Sequence, residues 1–167
     1  GVASFLTLAA QDFPDHPALV ELLEYVPRIA DIAAAAGGQS VSWSRVALAT
    51  GTALLTNIVD APANGEKISA PVAGLCERLL RRALGAEETE SYAALNLTIL
   101  LQELVGRGQR PPAALEDAVV VLQALRHGDP KNTDALGQLA AVLTGLIERS
   151  SRPVSAYREI EDIYREI

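Results

Sequence analysis

Apolar residues recur along this chain at i, i+3, i+4 and i+7, as at Leu75, Leu79, Leu80 and Ala83, which is the period of a helix with one buried face. Each such stretch closes on a short polar segment carrying proline or glycine, the residues that end one helix and begin another. The segments are 12–16, 61–65, 107–111 and 149–153, and each is expected to be a turn between antiparallel helices. Second helices are expected at Pro17 to Ala36, Ala70 to Leu84, Pro112 to Arg126 and Pro153 to Ile167. Pro27 lacks an N–H and should kink or split the first of these near Val26. Segments 37–40, 85–89 and 128–132 pair a C-capping glycine with a following Ser, Thr or Asp N-cap, so they read as connections.

One heptapeptide recurs at the end of a long helical pattern. Phe5-Leu6-Thr7-Leu8-Ala9-Ala10-Gln11 matches 54–60, 100–106 and 142–148, whose first positions follow one another by 49, 46 and 42 residues. Those spacings sit at and just above the ~40 to 47 residues of HEAT and armadillo units. A lone helical hairpin cannot bury its apolar face, so hairpins of this kind stack into a superhelix with a convex and a concave side. The expected fold is therefore all-α: a right-handed α–α superhelix of about four repeats, as one domain over residues 1–167.

Composition supports helices over sheet. The chain is 49% hydrophobic but 4% aromatic and has no Met, with Ala and Leu dominating, a mix that favours helices able to approach closely. Its net charge of −7 repels phosphate backbones and anionic headgroups; neither nucleic acid nor a membrane is an expected partner. Cys76 is the one cysteine, which excludes an intrachain disulfide and a cysteine zinc site and reads as a buried small hydrophobe. No window approaches the ~18 apolar residues of a membrane span, and no signal-peptide pattern opens the chain, so an intracellular location is expected. A start at Gly1 without Met and an end at Ile167 inside a charged helical pattern read as a piece of a longer protein.

Two segments carry a family resemblance. Pro17-Ala18-Leu19-Val20-Glu21-Leu22-Leu23 resembles the second helix of an armadillo repeat, and Ala53-Leu54-Leu55-Thr56-Asn57-Ile58-Val59 is similar to the third-helix signature of that superfamily. The resemblance to the armadillo/HEAT superfamily runs from about Phe5 to Ile167 and implies a protein-interaction scaffold. It also implies that third helices line the concave face and that a third-helix Asn clamps ligand backbone, aided by a Trp one turn earlier. Here the Asn position holds Leu8, Asn57, Glu103 and Gly145, and the residue four earlier is Ala53, Ile99 or Ala141 in the last three repeats. The ladder that grips basic nuclear-import peptides is therefore missing. The heptapeptide 54–60 also looks like third helices of the cohesin-release factors, and tetratricopeptide-like packing shares the same apolar period.

With third helices on the concave side, polar positions at equivalent places form columns. One column is Thr56, Gln102 and Thr144; the other is Thr50, Asn96 and Gln138, with Asn57 and Glu103 beside the first. These are the candidate partner-binding residues, for a protein or peptide and not a small-molecule substrate. No catalytic, cofactor or metal site is expected. His16 and His127 stand in turns without a second ligand at metal spacing, and no nucleophile–base set or phosphate loop is present. Asn96-Leu97-Thr98 fits a glycosylation acceptor but falls within a helix. Arg78, Arg81 and Arg82 form a basic cluster and Glu159, Glu161, Asp162 and Glu166 an acidic last helix. Solvated faces are the ordinary use of such runs; the acidic helix could otherwise dock a basic partner or pair with a neighbouring repeat. A regulatory region that restrains an effector domain of the same longer chain, as armadillo regions of formin-like proteins do, is the competing function.

Overall fold

In the computed structural model the described residues are 21, 42–61, 67–149 and 152–166. Among them every regular element is helical: α1 (Trp43–Asp60), α2 (Ala70–Ala83), α3 (Glu87–Gly106), α4 (Leu115–Gly128), α5 (Thr133–Glu148) and α6 (Tyr157–Glu166). Short 3₁₀ turns at Pro112–Ala114 and Val154–Ala156 lead into α4 and α6. The protein is all-α, as the apolar period requires. The first heptapeptide, the helix expected at Pro17 to Ala36 with its Pro27 kink, the turns at 12–16 and 37–40, and His16 lie outside the described residues, as do positions 62–65 of the second turn.

The other three heptapeptides form the last seven residues of α1, α3 and α5. They bury the same places. Positions one, two and five are buried in all three, as Leu54, Leu55 and Ile58, then Leu100, Leu101 and Leu104, then Val142, Leu143 and Leu146. Positions three and four stay exposed or half-buried each time. Helix starts follow local chemistry: the Ser42 and Asn132 side chains accept from the Arg45 and Ala135 amides, at 3.4 and 3.0 Å, as N-cap residues do. One boundary differs from expectation. α3 begins at Glu87, so Glu87, Glu88 and Glu90 are its first turn, where carboxylates favour the positive end of the helix dipole. Thr89, buried in that turn, donates to the Ala83 carbonyl at 2.6 Å and ties it to the end of α2.

The chain divides into two compact units, one up to Ala93 and one from Ala94. In the first, α1 packs on α2 through Ala47, Leu54 and Ile58 on one side and Ala73, Cys76 and Leu80 on the other, all buried. The crossing is close at Gly51, whose carbonyl accepts from the Cys76 thiol at 3.3 Å. Ser42 and Arg45 at the start of α1 both reach the Glu88 carboxylate, Arg45 Nη2 at 2.8 Å. Their hydrogen bonds, the Ser42 one foremost, hold the Glu88 carboxyl below the usual range.

In the second unit α5 packs against α4 and α6, with Leu122, Leu139, Leu143 and Ile163 fully buried. Arg152 staples this packing. Its Nε and Nη2 donate to both Glu116 oxygens at 3.0 and 2.6 Å, and its Nη1 to Glu159 at 3.3 Å; Gln123 Nε2 also donates to Glu159 at 3.1 Å. Glu159 of the acidic last helix is thus used within the fold, while Asp162 pairs with Arg165 at 3.2 Å.

The hydrogen bond from Arg152 depresses the Glu116 carboxyl below its ordinary 4.5, so the pair's stabilisation is complete above that value and is lost as pH falls through the lowered one. With side chains 23% and 42% exposed, solvent screening limits Arg152→Ala to a cost of about 1 kcal/mol at neutral pH. Urea unfolding followed by circular dichroism should show that gap closing on acidification; a gap that persists in acid would contradict the assignment.

Candidate functional site

The expected contact residues part company in the structure. Thr50 is fully buried, its hydroxyl without a partner among the described residues. It sits between buried Ala47 and Leu54 on the apolar face of α1, where no partner reaches it. Its expected role as a contact residue is corrected on that ground: Thr is small and semipolar enough to pass for a surface position, but its place in the helical period puts it in the core. Asn96 and Gln138, its column mates, are half-buried, and the Gln138 carbonyl oxygen is enclosed without a hydrogen bond among the described residues.

Thr56 and Asn57 are exposed, with the Thr56 hydroxyl donating back to the Thr52 carbonyl at 3.0 Å. Glu103 accepts from Arg107 Nε at 2.7 Å along its own helix, so its charge is already matched. Within the glycosylation-like tripeptide, Thr98 is fully buried in α3 and donates to the Ala94 carbonyl at 2.9 Å. His127 belongs to the last turn of α4, not to the following turn, and its Nδ1–H donates to the Gln123 carbonyl at 2.6 Å. In the basic cluster Arg81 pairs with Glu77 at 2.8 Å.

Gln102 and Thr144, two members of the first column, do come together. They line one groove of about 420 Å³ on the second unit, a size within the range of ligand sites. Its apolar surface comes from Leu115, Ala141 and Val142, and its remaining walls from Gly145, Glu148, Arg149 and Tyr164. Thr144 spends its hydroxyl on the Ala140 carbonyl at 2.8 Å, whereas the Gln102 amide has no partner among the described residues. Arg149 folds back over the end of α5, its Nη1 donating to the Gly145 carbonyl at 3.1 Å. Gly145 makes that possible: a Cβ there would stand 3.0 Å from Arg149 Nη1. Neither Arg149 nor Glu148 has an ionic partner among the described residues.

Arg149, Glu148 and Tyr164 were not among the expected contacts. Arg149 falls in a segment whose composition announces a turn, and Glu148 at the end of a heptapeptide. Tyr164 did leave a signal. Tyr157 and Tyr164 are seven apart in α6 and both exposed, the latter at 64%, while Ile160 and Ile163 fill the buried side, so aromatic residues stand on the outer face where polar ones are the norm.

Cys76 lies outside this groove. Burial first, and neighbouring Glu77 second, push its thiol up to about 12, which leaves little thiolate nucleophile at neutral pH. Alkylation of the native chain at mild alkaline pH should run about a thousandfold slower than that of the unfolded chain, given the ordinary value of 9.0; mass spectrometry of the adduct measures it, and comparable rates would contradict the burial.

No group of three His, Cys, Asp or Glu is arranged to hold a metal among the described residues, and no described helix is long and apolar enough to cross a membrane. No protein-family model, curated protein or solved structure matches this chain. The described residues define an all-α protein with a mixed polar and apolar groove at the C-terminal end of α5.

Proposed function

We propose that this chain is a protein-interaction scaffold of armadillo/HEAT-like helical repeats, non-catalytic, which holds a peptide or folded partner. The observation that carries the reading is the common burial pattern of the three described heptapeptides, in which positions one, two and five go inward and positions three and four stay at or near the surface. Helices that share an inward pattern at a repeat spacing of 46 and 42 residues suit a stack in which each unit covers its neighbour's apolar side. Within the second unit, Gln102, Thr144 and Gly145 at those outer positions line one groove.

Two measurements test this. Small-angle scattering of a stacked superhelix should give a radius of gyration clearly above the ~15 Å of a compact chain of this length; a value at ~15 Å would sink the stacked arrangement. Affinity capture on the immobilised, helical protein should retain defined partners in stoichiometric amount, and a folded chain that retains none would remove the scaffold role.

A further inference from the structure

The last helix carries the same four residues twice. Tyr157-Arg158-Glu159-Ile160 returns seven positions later as Tyr164-Arg165-Glu166-Ile167, so each residue type keeps to one side of the helix. The inward side of α6 is spent on the core of the second unit through Ile160 and Ile163. Turned outward are Tyr157, Arg158, Glu161, Asp162, Tyr164 and Arg165, all exposed, which at ~100° per residue share one arc of about 160°. Two of the five exposed large apolar side chains among the described residues stand on this one ten-residue helix. Tyrosine and arginine are enriched where proteins hold one another, and here they share a face.

The charges on that arc say what can cover it. Glu161 stands at its middle, with Arg158 three residues before it and Arg165 four after, the spacing of one helical stripe. Arg158 and Glu161 make no ion pair among the described residues, and Arg165 reaches Asp162 along its own helix with both side chains largely exposed. A second α6 laid antiparallel over this stripe, about a two-fold axis, sets Arg158 against the partner's Glu161 and, by symmetry, Glu161 against the partner's Arg158. A parallel two-fold pair would set each charge against its own twin, which repels. On the flank of the antiparallel pair the tyrosines of the two copies meet, with arginines beside the rings.

We propose that α6 is a self-association face, on which a second copy of this chain docks by its own α6, antiparallel and two-fold symmetric, through Arg158–Glu161 pairs and the rings of Tyr157 and Tyr164. This goes beyond the scaffold reading and does not depend on it. A ten-residue helix is ~15 Å long, so the area it covers falls below the ~800 Å² per partner of a standard interface. The dimer is therefore weak, and it forms and dissolves with concentration. Each dimer carries two copies of the groove that Tyr164 lines.

Sedimentation of the whole chain over a series reaching about 1 mM, where weak complexes form, tests this. The mean mass should climb from one chain toward two. Glu161→Arg should hold it at one, and so should the double variant Arg158→Glu/Arg165→Glu, each with an unchanged circular dichroism spectrum because all three positions are exposed. Mixed in equal amounts, the two variants should associate again and more tightly than the native chain, since one then carries only basic and the other only acidic groups on the stripe. Tyr164→Ala should weaken association about tenfold. Val120→Ala, on α4 and just as exposed, should leave it unchanged, which separates this face from apolar surface in general.

A mass of one chain throughout the series would overturn the proposal. So would association that Glu161→Arg leaves intact, or a folded mixture of the two charge variants that stays monomeric. Capture of a different protein that Tyr164→Ala abolishes, with the chain alone monomeric, would give α6 to that partner, overturning self-association and leaving the scaffold reading in place.

Discussion

Leu143→Ala is expected to lower the stability of the second unit by about 3 to 5 kcal/mol. Leu143 is wholly enclosed in α5, the helix that packs on both α4 and α6, so removing its isobutyl group loses transfer energy and leaves a cavity that three helices line. Out of the ~5 to 15 kcal/mol of a typical domain, that is a large share. Urea unfolding should show the midpoint falling with little change in slope. Val120→Ala provides the contrast: Val120 is also an aliphatic residue in a helix of this unit but is 65% exposed, and its truncation should stay within about 0.5 kcal/mol. Equal losses at the two positions would mean that α5 is not the central element of this core.

Gly51→Leu should be comparably damaging in the first unit, by overfilling instead of emptying. An added Cβ at Gly51 would stand 3.0 Å from Leu80 Cδ2, 3.2 Å from Leu80 Cγ and 3.3 Å from Leu79 Cβ. A leucine adds three more carbons into the same space, and α1 and α2 must separate, at about 3 kcal/mol or more. Separation also breaks the contact between the Cys76 thiol and the Gly51 carbonyl. The variant should therefore both melt earlier and expose Cys76 to alkylation. Gly51→Ala is the milder companion, its gain in helix propensity of about 1 kcal/mol set against a methyl pressed on Leu80. A leucine variant with unchanged melting and a still protected thiol would show that the crossing is looser than Gly51 implies.

Local rules were enough for much of the fold. The helix expected at Ala70 to Leu84 is found at Ala70–Ala83, and the one expected at Pro112 to Arg126 is found as a 3₁₀ turn running into α4. Proline at the head of each sets φ for the first turn at no cost in hydrogen bonds. The start of α3 was harder. A run of Gly85, Ala86, Glu87, Glu88 and Thr89 has the composition of a turn, and what recruits its second half into the helix is the buried hydrogen bond from Thr89 to the end of α2 together with the ion pair that Glu88 receives from Arg45, 43 residues earlier. Contacts of that kind join residues far apart in the chain and leave no periodic trace.

The contact columns show the same division at single residues. Thr50, Asn96 and Gln138 stand at equivalent places before their heptapeptides, yet Thr50 is enclosed and the other two are half-buried. A polar column read from spacing assumes that every helix turns the same angle to its neighbours, and the tight crossing at Gly51 shows that α1 turns its Thr50 side inward.

From the chain alone came the helical class and the places where α1, α3 and α5 end, because these depend on turn chemistry and on a 3.6-residue period. Only the packed structure decided that Gln102 and Thr144 share a groove with Arg149 and Tyr164, that Glu103 is matched by Arg107, and that Arg152 joins Glu116 to Glu159. Which side chains converge depends on crossing angles and approach distances between helices, and these are set jointly by all the side chains at an interface, not by any one segment.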